Sequence, residues 1–138
     1  MIFIEKINCR PLFYFLSVTL LISCQPNSEG KEFDENFVHS VYVWLKEPNN
    51  PKDRAMFEKS LDKLFKTSKY TKTNFLGIPA NTQRSVVDNS YTYAIIVTFS
   101  SKEEQDLYQT EEAHLLFIEE ASSLWNKVQI YDTVTNDF

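Results

Sequence analysis

A chain of 138 residues with 43% hydrophobic and 24% charged side chains has the size and composition of one compact domain, without a disordered or fibrous bias. Its formal net charge of -5 and the absence of a clustered Lys/Arg stripe with interleaved aromatic residues disfavour nucleic acid as a partner. Gly30 and Gly77 are the only glycines, so a glycine-rich phosphate loop is excluded, and with it the P-loop and dinucleotide-binding classes of protein.

Residues 1–23 show the order of features of a secretory signal peptide. Lys6 and Arg10 give the start a positive charge, and a mostly apolar run from residue 12 to residue 22 follows. This run is shorter than the roughly 20 apolar residues that a membrane-spanning helix needs, but it suits the core of a signal peptide. We therefore expect residues 1–23 to be removed during export.

The end of this segment, Leu21-Ile22-Ser23-Cys24, resembles the lipobox of bacterial lipoproteins. The resemblance implies that the Cys24 thiol accepts a diacylglyceryl group and that cleavage then frees its amine for a further acyl chain. More than one chain gives a stable membrane anchor, because each buried methylene contributes about 0.8 kcal/mol. The alternatives are a short uncleaved anchor or an ordinary buried Cys24.

Residues 24–36 are expected to form the lipidated cysteine and a flexible tether, because residues 25–36 are polar and acidic and include Pro26 and Gly30. A short acidic stretch after a lipidated cysteine is similar to a surface-export signal of Bacteroidetes-type bacteria. The expected location is therefore the cell envelope, at the outer rather than the inner membrane. With Cys9 removed and Cys24 acylated, no thiol would remain for a disulfide or a zinc site.

From residue 37 onward the hydrophobic pattern predicts the order strand, helix, strand, strand, helix, strand. The predicted strands are residues 37–46, 73–78, 91–99 and 127–134. The first helix is expected near residues 52–66, with four apolar residues at helical spacing: Phe57, Leu61, Leu64 and Phe65. A capping box at Ser101 and Glu104 begins the second helical region. Thr110 is expected to cap a further segment, with one face made of His114, Phe117, Ile118, Ala121, Leu124 and Trp125.

Four stretches of this pattern, taken in order, are similar to one known family. They are residues 38–46, residues 93–101, the segment from 108 to 117 and residues 128–132. Together they resemble the stress-responsive A/B barrel family, also called the Dabb domain, and the resemblance covers roughly residues 37–134. It implies an α+β fold for residues 37–138, a ferredoxin-like βαββαβ unit with an antiparallel four-stranded sheet. It also implies that two units join as a dimeric α/β barrel.

The first strand supplies an independent reason for a homodimer. Alternation places His39, Val41, Val43 and Leu45 on one face and Ser40, Tyr42 and Trp44 on the other. If helices cover the first face, the second stays open beside Ala94 and Ile96 of the third strand. An apolar patch of this kind is costly to leave in water, and a second copy of the chain would cover it.

The resemblance also implies candidate site residues. In family members that close polyketide rings, a tyrosine and a histidine after the third strand serve as orienting and acid/base groups, and these match Tyr108 and His114 in spacing. A histidine of the first strand matches His39. The chain departs from the family pattern at Glu111 and Glu112, where a His-Pro pair is common, and at Tyr93, where the cyclases carry another histidine.

Two functional hypotheses follow. In the first, the domain is a non-catalytic, homodimeric module of the envelope that binds a partner or a small apolar ligand, with His39 and Tyr93 near the ligand. In the second, it is an acid/base enzyme with His114 and Tyr108 as catalytic residues, because histidine titrates near neutral pH and a phenol can position it. The alternative for His114 and for His39 is a structural histidine. No cofactor is expected, and two histidines without cysteine make a poor metal site.

The two hypotheses are distinguished by whether a pocket opens between the sheet and the helices beside His114, because an enzyme would have no site if side chains filled that space. We expect His114 to line any such cavity, with Tyr108, His39 and Tyr93 as neighbours. The expected apolar wall consists of Val41, Val43, Ile95 and Val97, and this mixture is typical of a small-molecule pocket.

Overall fold

The computed structural model describes residues 32–136, and their main elements follow the predicted order. The strands are β1 (Phe37–Leu45), β2 (Asn74–Gly77), β3 (Tyr93–Phe99) and β4 (Trp125–Val134), and the helices are α1 (Pro51–Thr67), α2 (Lys102–Thr110) and α3 (Glu112–Ala121). Among residues 32–136, none of the helices combines the length and the hydropathy that a transmembrane span requires. The predicted signal peptide, Cys24 and the tether up to residue 31 lie outside the described residues.

The four strands form one antiparallel sheet in the order β2-β3-β1-β4. Val41 at the middle of β1 pairs with Ile95 of β3 on one side and with Ile130 of β4 on the other. The first and third strands are therefore adjacent at the centre, which confirms the predicted ferredoxin-like α+β arrangement. These two central strands form the middle of the sheet face that the helices cover.

The predicted alternation of β1 is also confirmed. His39, Val43 and Leu45 are buried on the helix-covered face, whereas Tyr42 and Trp44 on the opposite face remain partly exposed. The buried face joins the helices in one hydrophobic core: Phe37, Val43, Leu45, Phe57, Leu61, Leu64, Tyr93, Ile95, Val97, Phe99, Tyr108, Phe117 and Ala121.

Helix α1 begins where the sequence provides a cap. The Asn50 side chain accepts a hydrogen bond from the backbone N–H of Lys52, and Pro51 occupies the first turn, where its missing N–H costs nothing. The helix then buries Phe57, Leu61 and Leu64 against the sheet. Its stripe of apolar residues thus covers the face of β1 that carries His39.

Helix α2 begins at the predicted capping box, but the cap predicted for the next segment is wrong. Ser101 accepts from the N–H of Glu104 at 3.3 Å, whereas Thr110 is the last residue of α2 and donates to the Leu107 carbonyl. The residue at the start of α3 is Glu111, which makes no side-chain cap. Its carboxylate instead accepts from the Ser68 hydroxyl at 2.5 Å and from the N–H of Lys69 at 3.0 Å, so tertiary contacts at the end of α1 define this helix break.

The helix face predicted to end at Trp125 is wrong as well. Helix α3 ends at Ala121, a short 3-10 turn follows over Ser122–Leu124, and Trp125 is the first residue of β4, where it pairs with Leu45. Trp125 still contacts the core, because its ring lies 6.0 Å from that of Phe117. A helix or a strand at this position would each place the Trp125 side chain in the core. Pairing with Leu45 of β1 makes it a strand.

Candidate functional site

A cavity of about 160 Å³ lies between the sheet and the helices. All four residues of the predicted apolar wall line it: Val41, Val43, Ile95 and Val97. The other apolar lining residues come from α1, α3 and β4: Leu61, Leu64, Phe117, Ile118, Trp125, Val128 and Ile130. Its polar lining consists of His39, Tyr108, Gln109 and His114. The chain therefore leaves a mostly apolar space open beside three side chains that can exchange or share protons.

His39 is held by a carboxylate from the edge strand. In the β1–β4 register His39 lies opposite Asp132, and its Nδ1 is 2.5 Å from Asp132 Oδ1. A carboxylate only accepts hydrogen bonds, so Nδ1 donates, and in the neutral imidazole Nε2 carries the free lone pair. His39 is 4% exposed, whereas the Asp132 side chain is 44% exposed. The buried ring is thus fixed in one tautomer.

Tyr108 and His114 meet across the break between α2 and α3. Their rings lie 4.4 Å apart, and the Tyr108 ring is also 6.3 Å from that of His39. His114 Nδ1 donates to the backbone carbonyl of Gln109 at 3.2 Å, because a carbonyl can only accept. The second imidazole therefore also presents Nε2 as its unprotonated atom when it is neutral.

The surroundings favour the neutral forms of the His114 imidazole and the Tyr108 phenol. Burial lowers the pKa of His114, and the nearby His39 acts in the same direction, while the hydrogen bond to Gln109 and the charge of Glu111 oppose the shift. Burial raises the pKa of Tyr108, and the Glu111 carboxylate adds to that effect. At neutral pH the site therefore combines an imidazole base with a protonated phenol.

The lowered pKa of His114 predicts a pH dependence of stability. Since unfolded histidine titrates near 6.5, the unfolded state takes up the His114 proton first as the pH falls. The stability owed to neutral His114 is present above about pH 6.5 and is lost below it. We expect urea unfolding between pH 7.5 and 5 to show a smaller loss of stability in His114→Gln, which retains His39 and Glu111. Equal losses in both proteins would contradict this prediction.

Tyr93 lies away from the other three candidate residues. It pairs with Val43, four residues along β1 from His39, which is roughly 13 Å at about 3.3 Å per residue. Its hydroxyl donates to Glu58, its ring stacks on Phe57 at 4.9 Å, and the Arg54 guanidinium lies 4.7 Å from the ring centre. Strand alternation predicted the correct face for Tyr93, but the register places it outside the cavity lining.

The sequence analysis missed two polar residues here: Gln109, which lines the cavity, and Asp132, which binds His39. The sequence contained a signal for Asp132. Residues 128, 130, 132 and 134 alternate along the last strand, and an acidic side chain opposite His39 can accept a hydrogen bond from it. Finding it required the β1–β4 register, which alternation alone does not supply. Within residues 32–136, no group of three or more His, Cys, Asp or Glu side chains is placed to hold a metal ion.

Comparison with known proteins agrees with this architecture. The model of the family described as "Stress responsive A/B Barrel Domain" matches residues 37–135. Comparison with the curated proteins finds no match.

Among solved structures, the chain is similar to a protein from Arabidopsis thaliana, with 20% identity over 74% of this chain and 97% of that one and a TM-score of 0.63. It is also similar to a hydroxynitrile lyase from Passiflora edulis, with 17% identity over 77% and 98% of the two chains and a TM-score of 0.65. A third is a dimeric ferredoxin-like protein of unknown function from Thermobifida fusca, with 12% identity over 72% and 90% and a TM-score of 0.60. At these identities the likeness shows the fold.

Proposed function

The chain belongs to the stress-responsive A/B barrel family, and we propose that its domain binds a small, largely apolar molecule in the cavity between the sheet and the helices. The observation that carries this proposal is the composition of the cavity wall. Aliphatic and aromatic side chains surround the space, and His39 and His114 both lie close to Tyr108. An apolar pocket with a few converging polar groups is the usual form of a small-molecule site.

The size of the cavity limits the ligand. Its volume of about 160 Å³ is close to that of the roughly 150 Å³ apolar cavity that accepts benzene in another protein. The expected ligand therefore has about one six-membered ring or an equivalent branched chain. Ile118 and Ile130 line the cavity and are also partly exposed, so a longer ligand could extend past them to the surface.

Two substitutions on the same helix test this proposal. Ile118→Trp places a larger side chain at the cavity lining, whereas Leu115→Trp adds the same bulk to an exposed position of α3 that does not line it. We expect Ile118→Trp to weaken the binding of one-ring apolar compounds at least tenfold, measured by NMR titration, and Leu115→Trp to leave it unchanged. Equal affinities in both variants, or no binding by the unmodified protein, would contradict the proposal.

An acid/base enzyme is the second candidate, and the hydrogen bond between His39 and Asp132 favours it. A carboxylate that fixes the tautomer of a buried imidazole is a common way to prepare a general base, and Tyr108 and His114 supply an acid and a second base. The solved structure of a hydroxynitrile lyase with a similar fold is compatible with such a role. Chemical recovery of a bound compound distinguishes the candidates, since a binding module returns it unaltered.

A homodimer is part of the proposal, because the face of the sheet away from the helices is rich in aromatic side chains. The Tyr42 ring lies 5.0 Å from Tyr91 and 6.2 Å from Tyr131, and Phe75 of the edge strand β2 is 59% exposed. A second sheet laid on this face would cover it and close the dimeric barrel. The similar protein from Thermobifida fusca is described as dimeric.

We further propose that Cys24 anchors the chain to a membrane of the cell envelope, the outer rather than the inner one. The support is the order of charged start, apolar run and lipobox in residues 1–24. Cys24→Ala is expected to leave an uncleaved, unacylated precursor, whereas the control Cys9→Ala should be processed normally. Mass spectrometry of the N-terminus measures both. An unmodified Cys24 within a full-length native chain would contradict the anchor.

A further inference from the structure

Three polar atoms at the cavity make no hydrogen bond with the described residues. They are Nε2 of His39, Nε2 of His114 and the hydroxyl of Tyr108, because the hydrogen bonds of the two histidines use Nδ1 and the Tyr108 hydroxyl has no partner within residues 32–136. In the same part of the chain, every fully enclosed side-chain nitrogen or oxygen of a non-exposed residue has a partner. The three atoms therefore border open space.

Two of these three residues, Tyr108 and His39, are almost fully buried. Tyr108 is 3% exposed and His39 is 4% exposed, and both line the cavity. Polar atoms that face an apolar cavity without a partner lose the hydrogen bonds they would have in water. A ligand that satisfies them gains affinity that a purely apolar molecule cannot gain.

The hydrogen bonds that the two histidines already make determine whether each free atom can donate or accept a further hydrogen bond. Both Nδ1 atoms donate, so each neutral imidazole offers only a lone pair at Nε2, while the Tyr108 hydroxyl can both donate and accept. The matching ligand group must donate to a nitrogen and accept from a phenol. A hydroxyl group does both, an ether or a carbonyl oxygen only accepts, and a hydrocarbon does neither.

We propose that the cavity selects small apolar molecules that carry a hydroxyl group, either a phenol or an alcohol, and that this hydroxyl donates to an imidazole Nε2 and accepts from Tyr108. The proposal rests on the proposed function, since it names the class of ligand for the same cavity. In the catalytic alternative the same contact would place the hydroxyl proton next to a base.

The charges around the cavity disfavour a carboxylate ligand. Neither lysine nor arginine is among the lining residues. Two acidic side chains lie close to the polar groups of the cavity: Asp132 binds His39, and Glu111 is near Tyr108. A carboxylate would bring its lone pairs towards the Nε2 lone pair of neutral His114 and towards these negative charges. The low pKa of His114, caused mainly by burial, keeps that ring from supplying a compensating positive charge at neutral pH.

Phenol, benzene and benzoate test the selection, because they share one ring and differ in the polar group. Titration of the purified full-length chain at pH 8, followed by NMR, is expected to show phenol binding at least about fivefold more tightly than benzene, as two hydrogen bonds of modest net strength predict. Benzoate should bind more weakly than benzene. In Tyr108→Phe the advantage of phenol over benzene should fall by at least half, while the control Tyr91→Phe on the opposite face of the sheet should retain it.

The outcomes separate this inference from the proposed function. Equal affinities for phenol and benzene, or preferred binding of benzoate, would overturn the selection of hydroxyl compounds and leave cavity binding intact. An unchanged phenol advantage in Tyr108→Phe would remove Tyr108 from the contact and overturn the inference as stated. If none of the three compounds binds, both the inference and the proposed function are overturned.

Discussion

Replacing Phe57 with alanine is expected to lower the free energy of unfolding by about 3–5 kcal/mol, the range for a large aromatic residue removed from a closed core. Phe57 is fully buried and stacks on Tyr93 at 4.9 Å, and its ring also meets those of Phe117 and Trp125 at 5.9 and 6.2 Å. One side chain of α1 thus joins β3, α3 and β4. Its loss leaves a cavity that these three elements can close only by moving together.

Urea unfolding of Phe57→Ala and of Met56→Ala measures this effect. Met56 precedes Phe57 in α1 but is about half exposed, at 47%, so its truncation removes a side chain of similar length from the surface of the same helix. We expect a change below about 0.5 kcal/mol for the control, as for surface substitutions in general. A loss smaller than about 1.5 kcal/mol in Phe57→Ala would show that the aromatic cluster does not hold the helices to the sheet.

Much of this fold could be predicted from local patterns. Alternation along residues 37–45 identified the two faces of β1, and the Ser101–Glu104 capping box identified the start of α2. These signals are local because each depends on side chains within a few residues of one another. The family pattern then supplied the order of strands, which one-dimensional periodicity does not contain.

The errors concern positions where distant contacts decide the local structure. Thr110 is a good capping residue in sequence, but the break between α2 and α3 follows the bonds of Glu111 to Ser68 and Lys69. Trp125 continues the helical spacing of Phe117 and Ala121, and no glycine or proline stands between them to end the helix. Pairing with Leu45 ends it instead.

The candidate site shows the same division between local and distant information. Spacing across a helix break brought Tyr108 and His114 together, and strand alternation placed His39 and Tyr93 on the correct face. Register separates Tyr93 from the cavity and brings Asp132 against His39. A one-residue shift in pairing changes which side chains meet, so the membership of a site on a sheet depends on register more than on composition.

Replacing Tyr42 with glutamate is expected to dissociate the proposed homodimer. Tyr42 lies at the centre of the open face, opposite Ala94 and Gln129 on the neighbouring strands, so a carboxylate there has no cation directly across the sheet. An unpaired charge enclosed in an interface costs about 3–5 kcal/mol, which raises the dissociation constant by a factor of at least about 100. Sedimentation of a chain that begins near Asn36 measures the change.

Tyr42 is chosen for this substitution rather than Trp44, which lies on the same face of β1, because of a cation next to Trp44. At Trp44 a new carboxylate would lie near Lys127, whose ammonium is 4.0 Å from the centre of the Trp44 ring, and an ion pair would offset the penalty. Leu115→Glu serves as the control, because it introduces the same charge on the exposed surface of α3 and away from the sheet. We expect that variant to remain dimeric. An unmodified chain that sediments as a monomer at about 50 μM, where a complex of roughly 8 kcal/mol would be almost fully assembled, contradicts the dimer.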